Sequence, residues 1–116
     1  MKDIEDFYGE MNGALDLAIE RINRRPGIDP AIIINREAIR KNLKESYNHI
    51  RSAKYYHDKD EYRMAAVEVV ELKQLLTATK NLKESYPLDI DFLPDRIINS
   101  QIVSLSLILN NWLFDD

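Results

Sequence analysis

Apolar and polar positions along this chain recur mostly at the spacing of an α-helix. Ile4, Phe7, Tyr8, Met11, Leu15, Ala18 and Ile22 follow one another at three- and four-residue steps and form a single apolar stripe. Asp3 suits the N-cap of this first helix, and Glu5 and Asp6 suit its first turn. Arg24 and Arg25 complement the C-terminal end of its dipole, and Pro26-Gly27 ends it. A second stripe runs through Ile39, Leu43, Tyr47, Ile50 and Ala53 to Tyr56 or His57. Its start falls at either Pro30, behind an Asp29 cap, or Arg36, behind Asn35. The three isoleucines 32–34 also suit a short strand or a buried first turn.

A break at His57-Asp58-Lys59-Asp60 comes next, and Asp58-x-x-Glu61 reads as a variant capping box. The third helix carries Tyr62, Ala65, Ala66, Val69, Leu72, Leu76, Thr79 and Leu82, and stops at Tyr86-Pro87. Residues 87–94, PLDIDFLP, alternate apolar and acidic positions between two prolines. With no strand to pair with, this stretch predicts a loop pinned along the surface. A fourth helix from about Asp95 to Phe114 has the widest stripe, with Ile97, Ile98, Ile102, Leu105, Ile108, Leu109 and Trp112 at its centre. Such a helix is either central in a bundle or covered by another chain.

These elements predict an all-α fold, a four-helix antiparallel up-down bundle with an extended proline-bracketed loop before the last helix. At 116 residues the chain makes one domain, 1–116. The fourth helix is expected to be the most buried. The alternative is a three-helix core whose fourth helix pairs in a dimer.

Composition narrows the function. Absence of cysteine excludes a disulfide scaffold, a cysteine nucleophile and thiolate zinc sites. No stretch has the length of apolar residues a membrane span requires, and MKDIEDFYGE lacks the pattern of a secretion signal, so a cytoplasmic protein is expected. Net charge is −4. It divides into −5 over 1–20, +5 over 21–63 and −4 over 64–116. Overall acidity makes nucleic acid a less favoured partner and fits docking on another protein, basic where it binds.

No nucleotide-binding, zinc-protease or serine-hydrolase motif is present, and no cofactor or metal is expected. His49 and His57 are too far apart on one helix to share an ion. The heptapeptide KNLKESY occurs at 41–47 and again at 80–86, and each copy predicts surface helix with one buried Leu and one buried Tyr. Tyr47, Tyr62 and Tyr86 are accordingly expected in or against the core. Trp112-Leu113-Phe114 either closes the core or docks a partner.

Two constellations carry chemistry. Asp89, Asp91, Phe92 and Asp95 combine carboxylates with apolar anchors, the composition of a protein-binding loop. Arg51 and His57 form an R-x5-H spacing. That spacing resembles the R-x4-6-H motif of the HEPN superfamily, all-helical domains that often act as ribonucleases. The resemblance covers seven residues and implies Arg51 and His57, with Lys54 beside them, at an RNA phosphate across a dimer. In such a site histidine moves the 2′-hydroxyl proton and arginine stabilises phosphoryl charge. Tyr55 and Tyr56 would stack on RNA. The leading expectation is a small acidic intracellular binding module that docks on, and inhibits, a larger protein, as immunity proteins, antitoxins and phage inhibitors do. The alternatives are a HEPN-like ribonuclease or RNA-binding domain and a structural subunit that self-associates through its fourth helix.

Overall fold

The computed structural model describes residues 4–112. It is an all-α bundle of four helices: α1 (Ile4–Arg24), α2 (Pro30–Asp58), α3 (Tyr62–Ser85) and α4 (Leu93–Leu107). A π-helical turn, Ile108–Trp112, continues α4. The fourth helix thus starts two residues before the predicted Asp95. Asp3, expected as a cap, and the Trp112 side chain with residues 113–116, expected as a terminal anchor, lie outside the described residues and side chains.

Each break has a local cause. Gly27 adopts φ +74° after α1, a left-handed conformation open to glycine at no steric cost. Asp29 then caps α2, its Oδ1 accepting from the Ala31 amide at 2.9 Å, with Pro30 in the first helical turn. This decides the start of α2 in favour of Pro30, and the three isoleucines lie on helix. The second break corrects the capping-box expectation. Glu61 is the N-cap of α3 and makes no side-chain cap bond. Instead Asp60, at φ +59°, closes the end of α2: its amide donates to the His57 carbonyl at 3.0 Å, and the Glu61 amide donates to the Tyr56 carbonyl at 2.9 Å. These two bonds are a Schellman stop, with aspartate where glycine is usual.

The core is one cluster drawn from all four helices, among them Leu15 and Ile22, Ile39 and Leu43, Leu72 and Leu76, and Ile98 and Leu105. Cross-helix contacts give the directions. The Arg51 guanidinium lies 4.3 Å over the Tyr8 ring, while Lys44 reaches back to Asp16 at 2.7 Å, so α1 and α2 run opposite ways. His49 pairs with Glu68 near one end of α2, and Arg36 meets Tyr86 at the other, so α3 reverses again. Tyr47 on α2 is buried and donates to Gln101 Oε1 on α4 at 2.6 Å. Burial pushes its phenol well above the ordinary tyrosine range.

Tyr62 and Tyr86 depart from expectation, being 59% and 39% exposed. Nor is α4 enclosed, because Leu93, Val103 and Leu107 face solvent.

Candidate functional site

Arg36 is the largest fully buried side chain of the molecule's described residues. It stands in the apolar stripe of α2, between Ile32 and Ile39, and so points at the core. A buried guanidinium requires both a counter-charge and partners for its five N–H groups. Asp95, in the first turn of α4, supplies the charge: Nε and one terminal nitrogen of Arg36 donate to its two oxygens at 3.0 and 3.1 Å. The remaining donors go to Asn35 Oδ1 at 2.6 Å and to the backbone carbonyls of Tyr86 at 2.7 Å and Pro87 at 3.1 Å. Asn35 in turn donates to the Leu82 carbonyl at 2.8 Å. Adjacent residues of α2 therefore satisfy carbonyls at the end of α3 and hold the loop that leaves it.

That loop, residues 86–92, is bonded throughout. Asp95 Oδ2 accepts from the Asp89 amide at 3.0 Å. Asp89 Oδ1 accepts from the Asp91 amide and the Asp89 carbonyl from the Phe92 amide, both at 3.0 Å. Arg96 Nε donates to the Ile90 carbonyl at 2.9 Å. Leu88 and Phe92 are half-buried against the core, and the Arg25 guanidinium sits 4.3 Å over the Phe92 ring. Beyond the exposed Tyr86 and Pro87, the loop presents Ile90, 63% exposed, between the exposed Asp89 and Asp91, with Leu93 beside them. A cleft of about 430 Å³ separates this loop from the α1–α2 turn. Ile22, Ile28 and Phe92 line its apolar part, and Arg25, Asp29 and Asp89 its polar part.

Of the four loop residues singled out in the sequence, Asp89 and Asp91 face solvent and Phe92 is half-buried. Asp95 is corrected: at 4% exposed and bonded to Arg36 and the Asp89 amide, it builds the loop from beneath rather than facing a partner. Arg36 and Asn35 are the residues that the sequence reading missed.

Arg51 and His57 both lie on α2, six residues apart, and so point about 120° from each other around its axis. Arg51 is half-buried beside Asn48, Tyr55 and Tyr56 in a cleft that His57 does not line. The His57 ring meets the Tyr62 ring edge to face at 5.5 Å, and its Nδ1 is 3.9 Å from Asp58. One chain therefore does not bring the two together. His49 is engaged with Glu68, and among the described residues no group of three or more His, Asp and Glu side chains could hold a metal ion. No described helix is long and apolar enough to cross a membrane. Comparison with family models, curated proteins and solved structures finds no match for the chain.

Proposed function

We propose that the chain is a small acidic binding module that acts inside the cell by docking its α3–α4 loop on a larger protein and blocking it. The observation that supports this reading is the construction of the loop. A buried ion pair and six further hydrogen bonds hold seven residues that present an exposed isoleucine between two exposed aspartates. Ordering a loop beforehand removes an entropy cost that binding would otherwise bear. An apolar anchor supplies affinity by burial, and flanking carboxylates supply orientation and rate toward a basic rim. The matching partner is a protein with an apolar pocket bordered by lysine or arginine.

The test is affinity of the chain for a protein that it captures stoichiometrically from its host. Reversing Asp89 and Asp91 to lysine is expected to weaken binding at least tenfold, mainly through the association rate and most strongly at low salt. Affinity unchanged at every salt concentration would remove the loop from the interface.

A further inference from the structure

The cleft between the α1–α2 turn and the α3–α4 loop, about 430 Å³, has the size of a small-ligand site, and its charges do not cancel. Arg36 and Asp95 both line it and neutralise each other. All five N–H groups of Arg36 are spent on Asp95, Asn35 and the Tyr86 and Pro87 carbonyls, so it has no donor left for an anion. That leaves one cation, Arg25, against two carboxylates, Asp29 on the turn and Asp89 on the loop. Each carboxylate gives one oxygen to a backbone amide, that of Ala31 for Asp29 and that of Asp91 for Asp89. The second oxygen of each accepts no hydrogen bond from a described residue. Between them lies an aromatic face that holds a cation: the Arg25 guanidinium sits 4.3 Å over the Phe92 ring.

We infer that this cleft binds a guanidinium carried on an aliphatic stem, the chemistry of an arginine side chain. The uncompensated negative charge calls for a single cation. A planar guanidinium donates to a carboxylate through a rigid fork, and it is more weakly hydrated than an ammonium, so it enters a partly apolar cleft at less cost. Ile22 and Ile28 give the stem apolar contact. Arg25 shares the cleft as a like charge and so holds the affinity down. An anion would find only Arg25 and would be repelled by Asp29 and Asp89. The inference goes beyond the docking reading, because Ile90, which carries that reading, does not line the cleft.

The test is a nuclear magnetic resonance titration of the isotope-labelled chain with Nα-acetylarginine amide. The amide signals of Asp29, Ala31, Asp89 and Asp91 should shift and saturate with a Kd of about 1 mM. Nα-acetylcitrulline amide, of the same shape without the charge, should bind at least fivefold more weakly. Asp29→Asn combined with Asp89→Asn keeps both amide-accepting oxygens, and should weaken binding of the arginine compound at least fivefold with helical circular dichroism unchanged. Arg25→Ala removes the like charge and should tighten it about twofold. Ile90→Ser, which removes the docking anchor, should leave it unchanged, so failure of the docking reading is distinguishable from failure of this one. n-Butylguanidinium separates the two sources of the ligand. Affinity equal to that of the amide supports a free guanidinium compound, and weaker binding supports the arginine of a peptide. The inference is overturned if no signal saturates by about 20 mM, or if the citrulline compound binds as tightly as the arginine compound. Unchanged affinity in the doubly substituted Asn variant would overturn it too, as would weaker binding to Arg25→Ala.

Discussion

Arg36 and Tyr47 are polar groups placed where the pattern asks for apolar ones, and both became intelligible once their partners were seen. Arg36 is in phase with Ile32, Ile39 and Leu43, so its sequence already put a charge on the core side of α2. What the sequence could not give was Asp95, 59 positions away, because an acid in the first turn of a helix is ordinarily a solvated dipole partner. Asp95→Ala would leave a buried guanidinium uncompensated and should lower stability by about 3–5 kcal/mol in denaturant unfolding. Arg36→Met combined with Asp95→Leu should recover much of that loss while loosening residues 86–92, visible as faster amide exchange at Asp89 and Asp91. Tyr47→Phe would strand the Gln101 acceptor and should cost about 1–3 kcal/mol. The Tyr47 phenol is raised in the folded state, so the folded chain prefers its neutral form. Stability from this group is complete below the unfolded value near pH 10 and declines as pH rises past it. Alkaline unfolding titrations should show that decline in the parent chain and lack it in Tyr47→Phe.

At the scale of elements, the helices were legible because their apolar stripes are long, while their ends depended on geometry. Asp29 and Asp58 look alike in sequence, each preceding a helix. Asp29 bonds the Ala31 amide, whereas Asp58 belongs to the end of α2 and the turn after it is closed by backbone. Asp29→Ala should therefore cost about 1 kcal/mol and Asp58→Ala less than about 0.5 kcal/mol, measured as shifts in the urea midpoint. The repeated KNLKESY shows the same limit. In mid-α2 it buries Leu43 and Tyr47, as expected of it. At the end of α3 the identical residues leave Leu82 half-buried and Tyr86 outside the helix, its carbonyl on Arg36. Ser46 and Ser85 do bond back to Asn42 and Asn81, so the local chemistry repeats while the packing does not. Burial is a property of position in the bundle, which seven residues do not encode.

For the whole molecule, α2 sets the long dimension: its 29 residues span about 43 Å of a body 51 × 25 × 18 Å. The α3–α4 loop and the α1–α2 turn lie together at one end, and the Schellman stop lies at the other, beside His57. The two prolines and the alternation of acids and apolar residues marked a loop before the last helix, which residues 86–92 form, but Asp95 was misassigned to its surface because burial cannot be read from a residue's type. The docking claim is tested most directly by capturing host protein in parallel on three forms of the chain: unmodified, Ile90→Asp, and Arg51→Ala with His57→Ala. Native mass spectrometry of the eluates gives the stoichiometry. An equimolar protein partner is expected on the unmodified chain and on the Arg51/His57 variant, and is expected to be lost from Ile90→Asp at unchanged melting temperature. A partner retained in full by Ile90→Asp, or lost only with Arg51 and His57, would rule out docking through the α3–α4 loop.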